Sequence, residues 1–268
     1  MSEFETLHYE ASDGAIRVTL ARPASLNAMN GRMIEDLHAA ANRIASDAQA
    51  RAVLLRAEGR GFCSGADLAA DDLPPDPALS RGENIARRLV TRFNPMIEAW
   101  SSLPVPVVVA VNGVAAGGGV GLALTGDIVV AARSASFVQV FGPRLGLAPD
   151  LGCSWVLPRR VGDARALGLM LLGDPLDGSA AAAMGLIWAC VDDAELAPQT
   201  ESLLTRLAEG PTQAFRRIKT LVAASQDTSL AAQLALEAEA QGELGDTGDF
   251  AEGISAFLEK RAPRFEGR

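Results

Sequence analysis

Two short glycine-bearing stretches mark places where backbone, not side chains, could do chemistry. One is Ser64-Gly65-Ala66-Asp67-Leu68, which follows the apolar run Ala52-Val53-Leu54-Leu55. The other is Gly117-Gly118-Gly119, which follows Val107-Val108-Val109-Ala110-Val111 and leads into Val120-Gly121-Leu122-Ala123-Leu124. Runs rich in β-branched apolar residues have the composition of buried strands, so each cluster sits where a strand gives way to a loop or helix. Glycine destabilises a helix interior, so three in a row at a helix start point to backbone lying close to something. A helix N-terminus offers unpaired N–H groups and a partial positive charge, which suits a developing anion. In a parallel α/β layer both stretches leave the same edge of the sheet. One N–H from each can then converge on a single carbonyl oxygen, the logic of an oxyanion hole. Either stretch alone is better explained as a tight strand-to-helix turn with glycine chosen for packing. Their pairing across one strand–helix unit favours the oxygen site.

Side-chain chemistry has few candidates. His8 and His38 are the only histidines, which leaves little for a His-centred triad or a His-rich metal site. Cys63, Cys153 and Cys190 are odd in number, far apart and lack metal-ligand spacing, so they read as reduced, mostly buried thiols. No metal is expected. Asp150, in Leu145-Gly146-Leu147-Ala148-Pro149-Asp150-Leu151-Gly152, is the acid that matters below. On local sequence it is also a good N-cap for the segment Leu151-Gly152-Cys153-Ser154-Trp155.

The elements that must position these groups alternate. Apolar segments at 7–10 and 15–20 flank Ser12-Asp13-Gly14, a hairpin signal. Met33, Ile34, Leu37, Ala41 and Ile44 recur at helical spacing, with His38 beside the stripe as a packing or surface residue. Strands are expected at 52–57, 107–111, 127–132 and 187–191, with a short one near 135–138. Residues 69–82, with Asp71, Asp72, Pro74, Pro75, Asp76 and Pro77, read as a mobile polar excursion before a single helix over 82–101. From 151 onward the pattern turns helical, with helices near 154–161, 164–172, 179–184, 194–209, 211–225, 229–244 and 247–260. The region of Thr228, Leu230, Leu234 and Glu237 reads as strongly amphipathic and in need of a partner. Strands alternating with helices place the chain in the α/β class.

Composition narrows the partners. With 268 residues, 49% hydrophobic and 21% charged, the chain can bury a sizeable core. A formal charge of −9 argues against general binding to nucleic acid or a membrane surface, since phosphate recognition rests on basic patches. No segment has the length and apolarity of a membrane span, and the start Met1-Ser2-Glu3-Phe4-Glu5 lacks the character of a signal peptide, so a cytoplasmic location is expected. Arg87, Arg88 and Arg92 form a basic helix face that reads as solvated surface; Asp127 reads as an anchor at a strand start, and Glu58 and Glu98 as exposed charges.

Several of these residues also form a family pattern. Arg22-Pro23 with Leu26-Asn27-Ala28, the run from Gly61 through Ser64-Gly65-Ala66-Asp67-Leu68, the run from Ala110 through Asn112-Gly113 to Gly117-Gly118-Gly119, and Asp127-Ile128 occur in that order and spacing. On these motifs the chain resembles the enoyl-CoA hydratase/isomerase (crotonase) superfamily along nearly its whole length. The resemblance implies a crotonase (ClpP-like) spiral of ββα turns over residues 1–195. It also implies a helical C-terminal region, 196–268, that assembles a homotrimer or a dimer of trimers. The implied substrate is an acyl-CoA thioester whose oxygen is held by the N–H groups of Ala66 and Gly118. Ser64, Asp67 and Leu68 would line the CoA path, and no cofactor beyond the substrate's own coenzyme A is called for. Lys219 and Phe257 lie where a neighbouring subunit often completes the CoA site.

Departures from the pattern carry the functional reading. Hydratases of this superfamily place one glutamate two residues after the glycine triplet and a second about twenty residues later. Here the first position is Gly121 and the second falls in Val140-Phe141-Gly142-Pro143, without a carboxylate. Adding water across a double bond needs an acid and a base placed around it, so hydration is not expected to be the main reaction. Asp150 instead matches the aspartate of several superfamily isomerases, and a single carboxylate can take a proton from one carbon and return it to another. The likeness is greatest toward isomerases of aromatic-acid breakdown, with an epoxyphenylacetyl-CoA or enoyl-CoA substrate. The segment Phe141-Gly142-Pro143-Arg144 is one residue longer than that likeness leads one to expect. A hydratase of fatty-acid or aromatic-acid breakdown and a non-catalytic acyl-CoA-binding homologue are the alternatives.

Overall fold

The β-branched runs become the middle of a sheet, as their composition requires. The computed structural model describes residues 4–69 and 74–268. Its strands are β1 (Leu7–Ser12), β2 (Ala15–Leu20), β3 (Ala52–Ala57), β4 (Gly61–Cys63), β5 (Val107–Val111), β6 (Val114–Ala116), β7 (Ile128–Ala132), β8 (Ser136–Val138), β9 (Leu176–Asp177) and β10 (Ala189–Val191). Its helices are α1 (Gly31–Ser46), α2 (Arg81–Arg88), α3 (Asn94–Ser101), α4 (Gly118–Ala123), α5 (Cys153–Val161), α6 (Asp163–Leu172), α7 (Gly178–Ala183), α8 (Leu196–Ala208), α9 (Thr212–Ala224), α10 (Leu230–Gly245) and α11 (Gly248–Glu259).

A six-stranded sheet runs in the order β1-β2-β3-β5-β7-β10, and a four-stranded one in the order β4-β6-β8-β9. β1 and β2 form the predicted antiparallel hairpin, turning through Asp13 and Gly14, both at positive φ. From β2 to β10 the large sheet is parallel. Each of β3, β5 and β7 is followed at once by a strand of the small sheet, β4, β6 and β8, which pair in parallel. This repeated passage from one sheet to the other is the spiral that the motifs imply. All five residues of β5 are buried, and α8 covers β3, β5 and β7.

The α1 stripe is buried as its spacing predicts, and Asn30 caps the helix by accepting from Met33 N at 2.9 Å. Trp100 of α3 packs against α1, fully buried, and donates its indole N–H to Leu37 O at 3.0 Å. The single helix expected over 82–101 is instead α2, a π-helical turn over Leu89–Phe93, and α3. Pro95, which lacks an N–H, sits in the first turn of α3, so the ladder is rewound just ahead of it. Of the 69–82 excursion, residues 70–73, including Asp71 and Asp72, lie outside the described residues. Its second half is held by Asn84, which accepts from Asp76 N and donates to Asp76 O, and by a capping box between Ser80 and Glu83. The strand expected at 187–191 begins only at Ala189.

Helix α10 corrects a further expectation. Leu230, Leu234 and Leu236 are all exposed and only Ala240 is buried, so apolar residues spread around the helix without forming one stripe. No helix among the described residues is long and apolar enough to cross a membrane.

One buried side chain ties the loop before α1 to the turn before β4. Asn27, in left-handed backbone at φ 53°, accepts from Arg22 N at 2.8 Å and donates to Glu58 O and Gly61 O, each at 2.9 Å. Asn27→Ala removes all three bonds and leaves buried partners unpaired. It is expected to cost about 2–4 kcal/mol in urea unfolding; a loss below about 0.5 kcal/mol would contradict this role.

Candidate active site

The Ala66 N–H is left free by the way its loop is fastened. Ser64 N donates to Leu26 O, Met29 N to Gly65 O at 2.8 Å, and Asp67 N to Met29 O at 3.0 Å, so the segment pairs with 26–29 like a short parallel ladder. In that parallel bridge, centred on Met29 and Ala66, the Ala66 N–H points away from its partner segment. Gly118 is the first residue of α4, so its N–H has no acceptor within the helix. The two donors are neighbours. A Cβ on Gly65, which sits at φ +94°, would lie 3.4 Å from Gly118 N and 2.8 Å from Ala116 O. The packing explanation of the glycines holds as well, because a Cβ on Gly119 would stand 2.0 Å from Cys63 O. Close packing of α4 on β4 is what brings the donors together.

The remaining loop residues are engaged by the scaffold. Asp67 pairs with Arg22 at 3.0 Å and accepts from Ala69 N, and Ser64 Oγ donates to Ser25 O at 3.3 Å. Arg22 also donates to Ala28 O. Leu68 is exposed beside them. These contacts hold the loop's shape and leave its rim open to solvent.

Asp150 reaches the same neighbourhood from the other side. Its neighbour Leu151 lies against α4: a Cβ on Gly118 would meet Leu151 Cδ2 at 2.8 Å, and one on Gly121 would meet Leu151 O at 2.3 Å. The carboxylate does not cap α5, whose N-cap is Gly152 without a side-chain bond; only the Asp150 carbonyl contacts that helix, accepting from Cys153 N at 3.0 Å. Asp150 Oδ1 is buried without a partner. Burial pushes its pKa up to about 6. A carboxylate poised there can act as base and acid in turn near neutral pH.

Two residues that the pattern does not single out complete the surroundings. Cys153 is fully buried, with Sγ 3.7 Å from Gly117 O, and burial pushes its thiol up to about 12, so it stays neutral. Gln139, beside it, is 4% exposed, and neither Nε2 nor Oε1 has a partner. A lone amide between Val138 and Val140 in a buried run is the signal that marks it. The adjoining segment forms a single π-helical turn, Phe141–Leu145, with Phe141 buried.

Other candidates lie elsewhere. Lys219 pairs with Asp127 at 2.7 Å and donates to Val105 O at 2.8 Å, while Asp127 also accepts from Val107 N, so both are spent on joining α9 to the start of β5. Phe257 is 82% exposed on α11. Arg87 and Arg92 make surface pairs with Asp76 and Glu35, and His8 pairs with Glu58.

Known proteins place the chain in a family. A family model described as enoyl-CoA hydratase/isomerase matches residues 10–268. A probable enoyl-CoA hydratase of Rhodobacter capsulatus is 45% identical over 265 residues, 99% of each chain. The 1,2-epoxyphenylacetyl-CoA isomerase of Escherichia coli is 44% identical over 269 residues, 100% of each chain. The crystal structure of an enoyl-CoA hydratase from Bacillus anthracis superposes with a TM-score of 0.90 at 28% identity, covering 98% of this chain and 100% of that one.

The raised pKa makes Asp150 a destabilising group once ionised. Between its ordinary value of 3.8 and about 6 the unfolded chain has released the proton that the folded chain keeps, so the penalty grows over that window and is complete above it. Asp150→Asn is therefore expected to raise Tm by about 2–6 °C at pH 8, with the gain vanishing below about pH 4. Equal Tm differences in calorimetry at both pH values would contradict the assignment.

Proposed function

The chain belongs to the enoyl-CoA hydratase/isomerase family, and from that premise we propose that it is an acyl-CoA isomerase working with one aspartate. The thioester oxygen of an enoyl-CoA or epoxyphenylacetyl-CoA substrate sits between the N–H groups of Ala66 and Gly118. Those donors stabilise the enolate formed when a proton leaves the α- or γ-carbon. Asp150 takes that proton and returns it to another carbon. In an epoxide the same polarisation of the thioester assists ring expansion to an oxepin. Coenzyme A arrives as part of the substrate along Ser64, Asp67 and Leu68, and no further cofactor takes part.

The observation that carries this reading is the half-buried Asp150 carboxylate, unpartnered at Oδ1 with its pKa raised to about 6. The two relatives near 45% identity bear a hydratase and an isomerase name, so their names do not choose between the reactions. Gly121 and the segment Val140-Phe141-Gly142-Pro143 support the isomerase reading, because neither place where a hydratase glutamate is expected bears a carboxylate. The exposed apolar residues of α9–α11, among them Ile218, Val222, Phe250 and Leu258, support self-association as a trimer or a dimer of trimers.

The test is a turnover screen of enoyl-, dienoyl- and epoxyphenylacetyl-CoA with wild type and Asp150→Asn. Isomerisation is expected in wild type, with kcat falling by about 10²–10⁴ in Asp150→Asn. Wild-type kcat/KM should decline as pH is lowered through about 6, where the base becomes protonated. Hydration of crotonyl-CoA that survives Asp150→Asn would overturn the assignment in favour of a hydratase. Thioester binding without turnover of any of the three would favour a non-catalytic homologue.

A further inference from the structure

The hydrogen at Gly121 does more than leave a glutamate out. The atom that a Cβ there would strike, at 2.3 Å, is the carbonyl oxygen of Leu151, with Leu151 Cβ next at 3.0 Å. Backbone cannot yield by a change of rotamer, so any side chain at 121 must lift the loop that carries Asp150. That loop is already constrained. Leu151 is 4% exposed and holds left-handed backbone at φ 48°, an unusual state for a bulky residue, and Gly152 follows at φ 78°. Its Cδ2 presses on Gly118 one turn earlier on the same helix face. Asp150 itself has no other fastening. Among the described residues no other residue donates to its carboxylate, and its backbone carbonyl accepts only from Cys153 N. The direction of the carboxylate is therefore set by how the Leu151 peptide rests on α4.

We propose that Gly121 is a positioning residue for Asp150, its missing side chain being what lets the Leu151 carbonyl seat on α4 and hold the carboxylate in its desolvated place beside Gly118. The isomerase reading supplies the catalytic consequence; the seating itself does not depend on it. The titratable neighbour of the seat is the Cys153 thiol on α5, with the neutral Gln139 amide behind it.

The experiment compares Gly121→Ala with wild type, using Gly168→Ala, where a Cβ meets nothing within 4 Å, as the control. Asp150 is titrated by ¹³C-carboxyl NMR in aspartate-labelled protein, its signal assigned by loss in Asp150→Asn. In wild type the midpoint should lie near 6; in Gly121→Ala it should move down toward the ordinary carboxylate range as water reaches the lifted loop. kcat should drop at least tenfold with KM changed less than threefold, while Gly168→Ala behaves as wild type. An unchanged midpoint and kcat in Gly121→Ala overturn the proposal. If Gly121→Ala does not fold, Gly152→Ala, which strains the left-handed turn that seats the Leu151 carbonyl and leaves 121 intact, must give the same lowered midpoint, and a wild-type midpoint there overturns the proposal. The two readings fail separately: wild-type turnover in Asp150→Asn sinks the isomerase assignment, whereas the NMR midpoints judge the seating alone.

Discussion

Backbone approaches backbone at the start of α4 more closely than any side chain would permit. Cys63 O occupies the place of a Cβ at Gly119, and Leu151 O the place of a Cβ at Gly121. Between those two contacts lies the first turn of a six-residue helix whose residues are all buried. A helix this short contributes little stability alone; packing of β4 below it and the 150–152 loop above it holds it in place. Those contacts bring the Ala66 and Gly118 N–H groups side by side. Enlarging any of these glycines would separate the parts that must converge.

Scarcity of side-chain chemistry follows from the same arrangement. On the proposed reading, in which backbone amides supply the anion site, the protein needs one proton carrier and a surrounding that keeps it basic enough. Asp150 gets that surrounding from apolar neighbours and a neutral thiol, and no cationic partner holds its carboxylate. Burial without a counter-charge is what moves a carboxyl toward neutral pH. By contrast, Asp67, Asp127 and Glu201 all have arginine or lysine partners and serve as fasteners.

Much of this was legible beforehand, for reasons that differ by residue. The strands at 107–111 and 128–132 and the α1 stripe follow from local pattern, because one face or both must be buried. Ala66 and Gly118 are assigned as donors only through motif order, since an N–H leaves no mark on residue type. What stayed hidden was set by contacts distant in sequence. The π-helical turn before Pro95 looks like ordinary helix in periodicity. The left-handed Leu151 has nothing in its side chain to announce it. Asp150 looked like a cap because caps are read from neighbours along the chain, whereas its environment comes from α4, some thirty residues earlier.

Arg51, just before β3, shows how the ends of the molecule are joined. Its guanidinium donates to Gly210 O at 2.7 Å, Phe265 O at 3.1 Å and Thr212 Oγ1 at 3.2 Å. An early strand of the spiral is thereby tied to residues made some 160 to 214 positions later. That guanidinium reaches its three acceptors only once segments far along the chain have folded back onto the start of β3. Gly210, Thr212 and Phe265 thus act as a latch on a sheet begun far earlier in the sequence, and the entropy of closing so long a loop is met at this one side chain.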